Sequence, residues 1–169
     1  MIDNNFVKPE YWIAAEDDER YRRSIYLFRK RSMPDPVLGG FDAPNGDFSC
    51  ARRLRSNSPL SALASLNEPV FLEAARALAF RVLRESGTSE QERIDLAFRL
   101  CTGRHALEQE KESLRSFLAS QRARIDAGEL NAAEIVASDQ PLDIDVEEAA
   151  IWVITARVMM NLDETLNKN

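Results

Sequence analysis

Histidine occurs once in this sequence, as His105, and cysteine twice, as Cys50 and Cys101. A lone histidine cannot build a zinc site without cysteine or carboxylate partners at ligand spacing, and none is evident. His105 follows Gly103-Arg104 just past a predicted helix end, where a surface or capping role accounts for it. The cysteines form no C-x-x-C pair. They read as free thiols packed as small hydrophobes, with a disulfide between them left open. No C-x-x-C-H is present to carry a covalent haem. Neither G-x-x-x-x-G-K-[ST] nor G-x-G-x-x-G occurs, so nucleotide binding has no motif behind it. A G-x-S-x-G elbow is missing too. Cys101 and His105 are four apart, as a nucleophile and base on one helix face could be, but Gly103 interrupts the helix between them. We therefore assign no catalytic residue, metal or cofactor.

Long apolar runs are also lacking. The longest, Ala149 to Ala156, falls far short of the ~20 residues a membrane-spanning helix needs. Met1-Ile2-Asp3-Asn4-Asn5 shows no basic stretch followed by an apolar one, so no signal peptide is read there. A soluble chain with no membrane span is the expectation. Positive charge is in deficit: the formal net charge is −6 and the isoelectric point is near 5.0. Phosphate binding needs a surplus of Lys and Arg on one face, which argues against a nucleic-acid partner. The deficit is uneven. Residues 1–60 carry ten basic and nine acidic side chains, while residues 61–169 carry twelve and nineteen.

What the sequence has in quantity is helix grammar, and it begins late. The first nineteen residues are polar and end in Glu16-Asp17-Asp18-Glu19. Ile25-Tyr26-Leu27-Phe28 is a short apolar run that we read as part of an extended arm. Pro34, Pro36, Gly39, Gly40, Pro44 and Gly46 then crowd one stretch, the punctuation of a long loop. Asn67-Glu68-Pro69 reads as a helix start with Asn67 capping, and Phe71, Ala75, Leu78 and Val82 follow at helical spacing. Gly87 stops that helix, and Thr88-Ser89-Glu90-Gln91 reads as a capping box of Thr88 with Gln91. Ile94, Ala97, Phe98 and Cys101 form the next face. A third helix over 106–127 is expected to bury Leu107, Leu114, Phe117, Leu118 and Ile125. Asn131 begins a short helix, and Asp145 begins the last, from Val146 to about Leu166. That helix is apolar almost all round from Ala149 to Met160, as a buried central helix must be.

Two sets of charged residues stand out. Eight arginines fall between Arg20 and Arg55. Arg22, Arg23, Arg52 and Arg53, with Asp42, form a possible anion site, because a guanidinium fork matches sulfate, phosphate and carboxylate. Against that, arginines beside a loop rich in Asp commonly pair with it. Arg157 lies within the apolar helix and needs a partner; Asp42 and Asp163 are the carboxylates proposed for it.

Several blocks carry a family resemblance: Arg22-Arg23-Ser24-Ile25-Tyr26, Phe41-Asp42-Ala43-Pro44, Arg52 with Ser56-Asn57-Ser58-Pro59-Leu60, and Leu66-Asn67-Glu68-Pro69. Arg93, Ala97-Phe98-Arg99-Leu100, Gly103-Arg104 and the closing Asn161-Leu162-Asp163-Glu164-Thr165 fit as well. Together they resemble the C-terminal portion of the DUF1553 family, a planctomycete-type domain of unknown function often fused to cytochrome c modules. The resemblance implies a fragment of a larger, extracytoplasmic protein and no particular reaction. Asn57, Pro59, Asn67, Arg157 and Asp163 are read as structural: turns, helix starts and one buried charge.

The fold expected is a mainly α bundle of about four to five helices. It forms a single domain, residues 1–59 being the arm and loop and 60–169 the bundle, with Tyr26, Phe28 and Phe41 packed on it. The function expected is a non-catalytic interaction or scaffold module whose partner is the rest of the parent protein or another protein. The alternative is part of an enzyme or binding protein acting on anionic polysaccharide, sulfated forms included. A homo-oligomer formed through an exposed apolar surface is a further expectation.

Overall fold

The structure is a computed structural model and describes residues 17–27, 34–44, 46–52, 58–137 and 143–167. The chain divides into two compact units, Met1–Ser56 and Asn57–Asn169. Among the described residues there is no strand, and eight α-helices are present, five of them seven residues or longer.

Among its described residues the first unit carries little regular structure. Two single 3₁₀ turns, Asp17–Tyr21 and Ser24–Tyr26, lie where an extended arm is read from the sequence. The loop holds one short helix, α1 (Pro36–Gly40). Asp35 caps it, its side chain accepting from the Leu38 N–H at 2.9 Å, and Pro36 supplies the preset φ of the first turn. Tyr26 is 64% exposed and Phe41 half-buried, and Phe28 lies outside the described residues.

The second unit is a helical bundle: α2 (Pro59–Asn67), α3 (Pro69–Glu85), α4 (Glu90–Thr102), α5 (Glu108–Asp126), α6 (Ala132–Val136), α7 (Val146–Met160) and α8 (Asp163–Leu166). Helix α7 is its axis, packed against each of the other six. Ala149, Ala150, Ile151, Trp152, Val153, Thr155, Ala156 and Met159 are all buried. Burying each large apolar side chain contributes about 1.5–3 kcal/mol. Thr155, the one hydroxyl among these residues, donates to the Ile151 carbonyl at 2.8 Å. Around α7 stand Ala75, Ala79, Phe80 and Val82 of α3, Ile94, Ala97, Phe98 and Cys101 of α4, and Leu118 and Ile125 of α5. Cys101 is buried and Cys50 exposed, and the two are not joined by a disulfide.

Local chemistry moves several helix ends from where periodicity alone places them. Asn67 does not cap α3. Pro69 drives the residue before it out of the helical region, so Glu68 sits at φ −65°, ψ 132° and takes the cap position. Asn67 closes α2 instead, its Nδ2 donating to the Leu63 carbonyl at 2.8 Å. The box that opens α4 is Ser89 with Glu92, not Thr88 with Gln91: Ser89 Oγ accepts from the Glu92 N–H, and Glu92 reaches back to the Ser89 N–H. Gln91 is engaged elsewhere, by Arg115 of α5. Leu107 is not buried by α5; it occupies the cap position and is 64% exposed. Helix α7 ends at Met160 rather than near Leu166, and α8 follows as a separate turn. Asp145 caps α7 and Asn131 caps α6, as read from the sequence.

Candidate functional site

The residues proposed from sequence as an anion site all fall within the first unit, Met1–Ser56. Arg22 is brought to Glu19, Nη2 to Oε1 at 2.6 Å, both side chains exposed. Arg23 stands at the cap position of the second 3₁₀ turn. Arg52 is exposed, and its carbonyl receives the Cys50 thiol at 3.3 Å. Asp42 is half-buried in the left-handed region at φ 53°, a conformation its short polar side chain tolerates better than most. Arg53 and Asn57 lie outside the described residues. Among the structural residues, Pro59 opens α2 and Asn67 closes it. Arg157 and Asp163 are not brought together. The half-buried Arg157 finds a backbone acceptor rather than a carboxylate: its Nη2 donates to the Leu66 carbonyl at 2.6 Å, tying α7 to the end of α2. Asp163 Oδ1 accepts instead from Asn167 at 2.7 Å.

The second unit spends most of its charge on itself. Glu148 of α7 accepts Arg93 of α4 at 2.7 Å and Arg122 of α5 at 3.5 Å, and Arg122 also meets Glu90 at 2.7 Å. At the opposite end of α4, Arg104 is held between Glu110 at 2.7 Å and Glu164 at 2.7 Å. Its guanidinium lies 5.5 Å from the centre of the Phe98 ring, within cation–π range. Hydrogen bonding to Arg104 holds the Glu110 and Glu164 carboxyls below the usual carboxylate range, and the same bonds raise Arg104. Glu110 also reaches back to the Leu107 N–H at 2.7 Å, supplying half of a capping box where Leu107 has no oxygen to give.

This clamp borders a concave surface. A groove of about 530 Å³ is lined by Phe98 of α4, Leu114 and Phe117 of α5, and Val158, Met159 and Leu162 at the α7–α8 corner. Leu107, Gln109, Glu110 and Ser113 complete it. Val158 and Leu107 stand on its lip, 38% and 64% exposed. Such a volume falls in the range of binding clefts. The sequence carried one signal for it. Apolar residues are strongly disfavoured at a helix cap, so a leucine directly before Glu108-Gln109-Glu110 is held there for some reason other than capping. Among the described residues, no three His, Cys, Asp or Glu side chains are gathered as for a metal ion. No helix of the described residues is long and apolar enough to cross a membrane.

Neither the curated proteins nor the solved structures yield a match to this chain. A protein-family model does match, over residues 3–118. It takes in the Arg22–Tyr26, Phe41–Pro44 and Leu66–Pro69 blocks and the Arg93–Arg104 stretch, while Asn161–Thr165 lies beyond it. The model covers more than half of the sequence, and the chain belongs to the family it describes, PSD1, a protein of unknown function (DUF1553).

Proposed function

We propose that this chain is a non-catalytic interaction module whose working surface is the groove between α4, α5 and the α7–α8 corner. The observation behind it is that groove's apolar lining, with Leu107 and Val158 left open at its lip. A contiguous apolar hollow in water is unfavourable, and its usual resolution is a partner that covers it. The acidic and basic side chains near it are engaged with one another, which suits a supporting role better than a reacting one. In this reading the partner is a protein, either the remainder of a larger parent or a separate chain.

The test is a photo-crosslinking amino acid placed at position 107 of the full chain, in the cells that make it, with position 126 at the far end of α5 as control. A discrete crosslinked protein species from 107 and none from 126 is the expected result. No species from 107, or the same products from both positions, would overturn the reading.

A further inference from the structure

We infer that the partner of this groove is a cationic amphipathic helix, an inference that rests on the groove being the working surface. The groove is open along one side, since Leu107 and Val158 remain exposed on its lip. A small molecule held there would keep much of its surface in water, whereas bound ligands of that kind are mostly enclosed. The lining along α5 runs from Leu107 to Phe117, ten residues that span about 15 Å at the helical rise. That length accommodates nearly three turns of a helix laid alongside, with apolar side chains at three- and four-residue intervals seated on Leu107, Leu114 and Phe117. Phe98 and Met159 form the floor, and a thioether adapts its shape to the side chain it meets.

Charge decides which helix. Arg104 is one cation shared between two carboxylates, Glu110 and Glu164, with the exposed Asp163 next to the latter. Glu164 keeps nearly half of its side-chain surface in water, within reach of a second cation. The whole unit adds to the same field, with nineteen acidic against twelve basic side chains from residue 57 onward. Complementary potentials favour an incoming Lys or Arg and penalise an incoming carboxylate.

The experiment titrates the full chain calorimetrically with three synthetic peptides of four helical turns. One carries a leucine stripe flanked by lysines, the second has glutamate in place of lysine, and the third scrambles the first so that no stripe forms. The first should bind at least tenfold tighter than either of the others. Leu107→Asp should abolish its binding; Asp is a preferred cap residue, so α5 keeps its start. Glu164→Gln should narrow the lysine-over-glutamate preference several-fold while apolar binding remains. Equal binding of the lysine and glutamate peptides would overturn the cationic partner and leave the groove reading intact. Equal binding of the striped and scrambled peptides would overturn the helix. So would no binding at all alongside a positive crosslink from position 107. No binding together with no crosslink would overturn both readings.

Discussion

Trp152 Nε1 donates to Glu148 Oε1 at 3.0 Å, one turn back along α7, and the same oxygen receives Arg93 Nη1 at 2.7 Å. A single carboxylate thus satisfies the polar atom of the largest buried side chain and joins α7 to α4, while its second oxygen reaches Arg122 on α5.

Removing that carboxylate strands three donors, two of them on partly buried guanidinium groups. A fully buried ion pair broken on one side costs about 3–5 kcal/mol, and the Arg93 and Arg122 side chains keep 22% and 37% of their surface in water, so the cost falls below that range. Glu148→Ala should therefore lose about 2–3 kcal/mol, and Glu148→Gln about half as much, since an amide oxygen still serves Trp152. Urea midpoints followed by tryptophan emission would measure both. Equal losses for the two variants would show that the Trp152 bond contributes nothing.

Acid should loosen the other clamp. The Glu110 and Glu164 carboxyls lie below their ordinary value in the folded chain because Arg104 hydrogen-bonds their charged forms. A depressed carboxyl adds stability at pH values above its unfolded-state pKa and loses it as pH falls through the folded one. The unfolded reference is 4.5, so the contribution is complete near neutrality and fades below that value. Arg104→Gln should flatten the acid limb of a stability–pH curve below pH 4.5 relative to the parent chain. An unchanged limb would mean the clamp is not coupled to folding.

Helix α7 was the most legible element because its composition left no polar face to place in water. From Ala149 to Met160 only Thr155 and Arg157 interrupt the apolar run, and burial at the bundle axis follows directly. Helix starts were legible only where one residue competes for the cap. At Asp145 there is no rival. At Thr88-Ser89 two hydroxyls stand in line, and the choice falls to Ser89 because Glu92, rather than Gln91, reaches back. Arg157 was legible as a charge that needs a partner, but the partner was not, since a backbone carbonyl at the end of another helix leaves no trace in side-chain identity. The groove was hidden for a related reason. Leu114, Phe117 and Val158 look like core residues in a one-dimensional pattern, and only the crossing of α4, α5 and α7 leaves space beside them.

The same distinction between cap and non-cap can be measured. Asp145 Oδ2 accepts from the Glu147 and Glu148 N–H groups at 3.1 and 3.0 Å, so Asp145→Ala should cost about 1 kcal/mol. Asn67 only donates to a carbonyl already inside α2, and it is exposed, so Asn67→Ala should change stability by less than about 0.5 kcal/mol. Paired thermal melts would decide. A larger loss from Asn67→Ala would restore it as the residue that starts α3.

Ala137 ends α6 at φ 58°, ψ −158°, a region of backbone space that only glycine occupies without strain. Holding an alanine there costs about 1–3 kcal/mol. Replacing it with glycine removes the Cβ clash but adds freedom to the unfolded chain, which takes back about 0.4–1 kcal/mol. Ala137→Gly should therefore raise stability by about 1 kcal/mol. Gly103, the left-handed cap of α4 at φ 83°, supplies the opposite control. A Cβ there would meet nothing within 4 Å, so Gly103→Ala should lose about 1 kcal/mol through backbone conformation alone. Urea midpoints moving in opposite directions for the two variants would show that the backbone geometry at each position, rather than side-chain contact, sets the sign; a fall in both would mean that the Ala137 conformation carries no strain in solution.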